Sequence, residues 1–380
     1  MLARYISLMC FIWLAACSIP SMATPSMVSE KHARTSTFSQ KIHGVHAHNL
    51  SEHEVCELPA PTRTSTFSHK LQGAHANSRL TPYELPPPVQ IKKEIRDVPS
   101  FTQVDIKGPF NVRLHTDKKQ KPGLMVRGDV LDLARIQTRV IKHVLHVSIY
   151  EKRERFGTEP RLRMGSADLD INIPELHRFV YQGQGTITAH KIHASPLDIS
   201  IDNNKNSNWS GRLGLRYLTL AGRGNTDITG IDSHNLNVKL EGSPHVILRG
   251  EANLRRLYTE GDGWLNFYWV KGGRVVVRST GSTRVSLAGS VELLDACFSG
   301  KTRFDGHYLR AKKTFIKTNG EAVAEISTVG DQHTLARDVS DIYYYNLPER
   351  RTDYMTRNAA VLDMRSEELK LIQPGQMYDH

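Results

Sequence analysis

The sequence predicts an all-β solenoid, a coil of short strands that advances one rung every 19–20 residues. Three observations carry this expectation. Glycine-marked bends recur at Gly224, Gly242, Gly261, Gly281, Gly300 and Gly320, at intervals of 18, 19, 20, 19 and 20 residues, and a fixed period near twenty is the mark of a stacked array. Apolar residues alternate on both sides of the bends, as in Leu236, Val238, Leu240 before one and Leu265, Phe267 after the next; period two with one face inward is the pattern of a half-buried strand. No ten-residue helix fits between bends. Parallel neighbours then need no crossover helix, because a coil delivers each strand beside the last. A β-sandwich is the competing class.

The chain opens on MLARYISLMCFIWLAAC, residues 1–17. One Arg, an apolar run from Ile6 to Ala16 and small residues before Cys17 make an export signal, about half the ~20 residues a spanning helix needs. The ending L-A-A-C resembles a lipobox, so residues 1–16 are expected to be a lipoprotein signal peptide, with lipidation on Cys17. Ser18 follows in place of Asp, which favours the outer membrane. A multi-acyl anchor would hold the protein on that membrane stably. An ordinary signal cut near Ala23 is the alternative.

Residues 17–96 read as a low-complexity, disordered neck. RTSTFSQKIHGVHA at 34–47 returns as RTSTFSHKLQGAHA at 63–76, and the apolar content is too low to form a core. His43, His46 and His48 have spacing usable for Zn²⁺ or Cu²⁺, but a duplicated polar spacer accounts for the same residues, and no metal or cofactor is expected. Phe38 and Phe67 are potential docking points for another envelope protein.

The head is placed at 97–346. Its first strands fall in 101–150, where the segment 130–140 (VLDLARIQTRV) has the makings of a short helix or turn capping the open end. Between Gly183 and Gly224 the polar run 202–208 takes the place of a glycine bend, since Asn and Asp tolerate the left-handed conformation. Asp341 to Pro348 reads as a last strand or lid. The tail, 347–380, carries a helical spacing in Met355, Ala359, Leu362, Leu369 and Ile372. Of four cysteines, Cys10 leaves with the signal and Cys17 takes lipid. Cys56 and Cys297 are too few for a disulfide framework, and Cys297, between Ala296 and Phe298, reads as a structural thiol.

The strings ADLDINIPELHRFVYQGQGTITA and FTQVDIKGPFNVRLHTD, with the repeated G-S-x and G-x-G bends, resemble the head GIN domain family of auto-transporter adhesins over residues 97–346. The resemblance implies a right-handed, single-stranded parallel β-helix on an envelope protein, and brings no catalytic residues. Lys, Arg, His or Pro stand at bends where that family often has Ser or Gly.

Stacking the rungs on their glycines predicts outward columns. Three residues after each anchor come Asp227, His245, Trp264, Arg284, Arg303 and Val323; seven after come Arg249, Tyr268, Ala288, His307 and Ser327. Aromatic rings stack on sugar faces, and guanidinium forks grip carboxylates or phosphates. Trp264, Tyr268, His245, Arg249, Arg284 and Arg303 are therefore the candidate ligand-binding residues, for anionic envelope or host glycans. The formal charge of +11 suits such partners, while export argues against nucleic acid. Glu241 and Glu260, one residue before successive anchors, imitate the carboxylate pair of a retaining glycosidase, but a bend open to water gives an acid no raised pKa. No Walker A loop, nucleophile elbow or H-E-x-x-H occurs, and the G-x-G units open no helix, so the dinucleotide fingerprint lacks its context. The expectation is a non-enzymatic, adhesin-like outer-membrane lipoprotein, periplasmic or surface-exposed. A structural or assembly lipoprotein acting through the neck repeats is the alternative, with a polysaccharide lyase or hydrolase behind it.

Overall fold

The computed structural model describes residues 88–117, 119–150, 162–345 and 351–364. The export signal, Cys17 and the duplicated neck sequence lie outside them, as does the tail beyond 364. The described residues form a parallel β-solenoid of about nine turns with rungs of about twenty residues.

The first turns are built from short strands. β1 (Ile91–Arg96) precedes β2 (Gln103–Lys107), β3 (Phe110–His115) and β4 (Gly123–Asp129). After the one-turn helix α1 (Val130–Leu133) come β5 (Ile136–Ile141), β6 (Val144–Ile149), β7 (Ala167–Asn172) and β8 (Arg178–Gly183). β2 lies between β6 and β8, and β3 between β7 and β9 (Ile187–Asn203), all parallel. Two antiparallel additions close this end: β1 on β4 on β7, and the hairpin β5–β6. The expected helical cap is thus a cap of strands. Only four residues of the 130–140 segment coil, started by Asp129, whose side chain accepts from the Leu131 amide at 2.9 Å. Ile136 to Ile141 then alternate and join the sheet. Residues 91–96, assigned to the neck from the sequence, are strand, and their Lys92, Lys93 and Glu94 put charge on an edge that would otherwise invite another chain.

The long rungs follow: β10 (Ser207–Gly222), β11 (Asn225–Gly242), β12 (His245–Gly261), β13 (Trp264–Gly281), β14 (Arg284–Phe298), β15 (Arg303–Thr318) and β16 (Val323–Arg337). Each pairs in parallel with the next. In β11 the inward alternation breaks at Thr229–Gly230 and again at His234–Asn235. A rung therefore has three straight faces and three corners, the first corner being the glycine bend between strands.

The register corrects the anchor of the first rung. Gly222, not Gly224, stands opposite Gly242, and the column continues Gly183, Asn203, Gly222, Gly242, Gly261 and Gly281. Gly222, Gly242, Gly261 and Gly281 have φ of 93°, 83°, 110° and 97°, a region that disfavours any Cβ. Asn203 does not share that conformation. It holds the bend through its side chain, donating to Gly185 O at 2.7 Å and accepting from the Lys205 amide at 3.1 Å.

Inside, the predicted apolar columns stand. Val246, Leu265, Val285 and Phe304 stack in register and are all at most 1% exposed. Tyr181 is buried with its hydroxyl donating to Phe110 O at 2.9 Å and accepting from the Gly185 amide at 2.7 Å. Burial, offset only in part by those bonds, pushes its phenol up to about 12. Beneath the glycine corner the core is not apolar. Thr259, Ser279, Thr283 and Thr302 are buried and hydrogen-bond one another from rung to rung, and paired hydroxyls avoid the cost of burying an unmet polar group.

The far end also departs from expectation. β17 (Asp341–Tyr344) adds to β16 as the predicted last strand, but β18 (Arg351–Arg357) and β19 (Ala360–Asp363) continue the stack on β16 and β17. The helical spacing read in residues 353–364 is not used; seven consecutive parallel pairs with β16 satisfy the backbone instead. Cys297 lies on the outward side of its strand, between Arg278 and Lys317 on neighbouring rungs, yet is only 8% exposed, and it is disulfide-bonded rather than a free thiol. The other three cysteines lie outside the described residues.

Candidate functional site

The first face of the rungs carries the predicted ligand residues. His245, Trp264, Arg284 and Arg303 stand opposite one another in one column across β12 to β15. Neighbouring strands sit about 4.8 Å apart, so the column is a ladder with a fixed step. The His245 ring meets Trp264 edge-on, centroids 6.1 Å apart at 88°. The guanidiniums of Arg284 and Arg303 are exposed and make no ion pair among the described residues. That leaves two unneutralised positive charges on successive rungs beside an aromatic surface.

Other candidates fall differently. Arg249 is held by Asp227, its Nη1 at 2.6 and 2.7 Å from the two carboxylate oxygens. Asp227 itself faces Ile247 rather than His245, a two-residue displacement that follows from Gly222 being the anchor. Ser327 is buried opposite Arg310, so it leaves the outward column. Tyr268 is 45% exposed, where the first face turns into the second corner. Between Trp264 and Tyr268 stands Asn266, whose Oδ1 is buried and has no hydrogen-bond partner.

The carboxylates Glu241 and Glu260 are neighbours in register on the third face. Glu241 is ion-paired with Lys239 and Glu260 is exposed. That is a solvated rung edge, without the walled cleft a general acid needs.

The second corner holds two residues that sequence reasoning missed. From β9 to β14 every rung has one residue of positive φ there: Lys191, Gly211, Gly230, Gly250, Trp269 and Gly289. Four of the six are glycine, and Trp269, at φ 69° and 70% exposed, stands where its neighbours have none of its bulk. A bulky side chain in this region costs about 1–3 kcal/mol. Tyr308 occupies the same corner of β15 and is also 70% exposed. Its ring stacks on His307 (4.5 Å, 17°), which stacks in turn on Tyr345 (3.9 Å, 14°). The signal was present as a second glycine series at 211, 230, 250 and 289, in which Trp269 interrupts the pattern. A separate hollow of about 570 Å³ lies at the third corner, lined by His193, Pro196, Arg212, Arg216, Asp232 and His234. Its two arginines are already paired, with Asp232 and Asp198.

A family model described as "Putative auto-transporter adhesin, head GIN domain" matches residues 100–269 and 251–348, which together span most of the described stack. The chain belongs to this family. Among solved structures, the GIN chain is similar to a putative adhesin from Bacteroides fragilis at 16% identity, covering 73% of this chain and 98% of that one, with a TM-score of 0.30. A putative lipid binding protein from Parabacteroides distasonis shares 13% identity over 72% of this chain and 96% of its own, TM-score 0.38. A putative adhesin from Parabacteroides merdae shares 12% over 72% and 96%, TM-score 0.36. Identities and scores this low leave the family model to carry the assignment. No curated protein sequence matches the chain.

Proposed function

We propose that this GIN-family protein is a non-enzymatic, adhesin-like solenoid that binds anionic glycans through its first face, and that lipid on Cys17 holds it at the outer membrane. The observation that carries the binding is the ladder His245, Trp264, Arg284, Arg303, with two unpaired guanidiniums in register beside an indole. Rigid parallel rungs fix these groups in advance, so little ordering entropy opposes association.

The test is a glycan array probed with the whole protein at low and physiological salt, carrying lipopolysaccharide cores, acidic polysaccharides and host glycans. Retention of an acidic class at physiological salt is expected, and the double variant Trp264→Ala, Arg284→Ala should bind at least about tenfold more weakly. Binding that vanishes with added salt and ignores both substitutions would mean the net charge alone was responsible. For the anchor, metabolic labelling with palmitate should mark the wild type and not Cys17→Ala; equal labelling of both would exclude this anchor.

A further inference from the structure

The second corner is uneven in a way that suits one shape of ligand. Between β13 and β14 the register passes from Phe267 opposite Leu287 to Val270 opposite Gly289, so β13 has one residue more at the corner. Between β14 and β15 it passes from Ser286 opposite Asp305 to Gly289 opposite Leu309, so β15 also has one more. β14 is therefore recessed between two rungs that each project an exposed aromatic, Trp269 on one side and Tyr308 on the other. The recessed rung offers only Ala288, Gly289 and Ser290 there. Two rung steps separate the aromatics, about 9.6 Å along the stack.

We propose that Trp269 and Tyr308 form a two-subsite platform for an extended β-linked polysaccharide lying along the stack axis. In such a chain successive pyranoses turn over, so the same sugar face returns at every second residue. Two rings separated by two rungs then meet equivalent faces of alternate sugars, while the small residues of β14 leave room for the sugar between. Several features favour a ligand over chance. Trp269 is held in a backbone conformation its neighbours reserve largely for glycine, and strain of this kind collects at binding sites. Tyr308 is braced by the His307–Tyr345 stack and so is pre-set in orientation. Arg310, next to the platform and exposed, has no ion pair among the described residues and is free to meet an acidic substituent.

This platform rests on the glycan-binding reading of the protein but uses different residues from the first-face ladder, so the two can fail separately. The experiment titrates the whole protein, by calorimetry or affinity electrophoresis, with cellohexaose, chitohexaose and hyaluronan, and with dextran as an α-linked control. The extended β-linked chains should bind and dextran should not. Trp269→Gly and Tyr308→Ala should each weaken binding of the neutral cellohexaose and chitohexaose at least about tenfold, while Glu260→Gln, exposed on the third face, changes it less than about twofold. Trp269→Gly should also hold or raise the melting temperature, because it relieves the strained corner, so its loss of binding cannot be put down to misfolding. Binding of dextran as tight as that of the β-linked chains overturns the platform. So does wild-type affinity in both corner variants, even where the Trp264→Ala, Arg284→Ala protein has lost its glycans and the first-face reading survives.

Discussion

Gly261→Ala should destabilise the stack by about 3–5 kcal/mol, from the cost of a Cβ at a forbidden φ together with overpacking against fixed neighbours. At φ 110° the backbone is in a region alanine rarely adopts, and a Cβ built there would lie 2.1 Å from Gly242 O. That oxygen cannot yield, because it accepts the Asp262 amide at 2.8 Å. The strand on either side would have to move apart from the rung below. Thermal unfolding followed by circular dichroism would show the effect as a large fall in melting temperature. An unchanged melting temperature would mean that the glycine column is not what sets the spacing of the rungs. Gly273→Ala is the matched control: nothing lies within 4 Å of its added Cβ and its φ is ordinary, so it should have little effect.

Trp209→Ala should cost about 3–5 kcal/mol for a different reason, the empty volume left by a large buried ring. Trp209 is 2% exposed, its indole donates to Ser207 Oγ at 2.8 Å, and it meets Phe179 edge-on at 5.0 Å. On the preceding rung its register partner is Ala189 and on the following one Ile228. A bulky residue beside a small one fills the interior here, and the substitution would put two alanines on adjacent rungs with nothing to close over them. Because each rung of a solenoid touches only its neighbours, the loss should loosen the turns around β10 first. Hydrogen exchange would locate it as faster exchange in residues 187–242 than in 284–337. Uniform acceleration along the stack would show instead that the solenoid unfolds as one unit.

The coil itself was legible because the two periods that define it, near twenty for the turn and two for the strands, are written in Gly, Val, Leu, Ile and Phe. What was not legible has local physical causes. The string A-G-R-G-N offers two glycines two residues apart, and spacing alone does not choose between them; the choice of Gly222 is made by its φ of 93° and its pairing with Gly242. The strand β1 hides because its apolar residues, Ile91 and Ile95, stay 54% and 83% exposed, so no alternation records its role. Residues 351–363 are rich enough in polar and apolar alternatives to fit either period, and long-range pairing with β16 decides. The outward direction of Cys297 follows from Ala296 and Phe298 being inward, whereas its covalent bond is a matter of distance in space rather than of pattern.

For the candidate residues, the same distinction holds. His245, Trp264, Arg284 and Arg303 were aligned correctly since β12 to β15 keep strict step along the first face. Arg249 was placed but its carboxylate partner was not, because Asp227 had been counted from the wrong glycine. Trp269 and Tyr308 escaped because only one of the two glycine series was used to align the rungs.

The contrast between the corners has a consequence for how such a chain can change over time. At the first corner glycine backbones lie against one another, and the interval between them is held to 19 or 20 residues throughout 183–320. At the second and third corners neighbouring rungs differ by a residue and the register recovers within a few positions. One edge of the molecule keeps time, while at the others a residue gained at one corner can be given back before the next glycine and the side chains vary. Novelty in what the protein recognises can therefore accumulate on two edges without disturbing the mechanism by which the chain counts its turns.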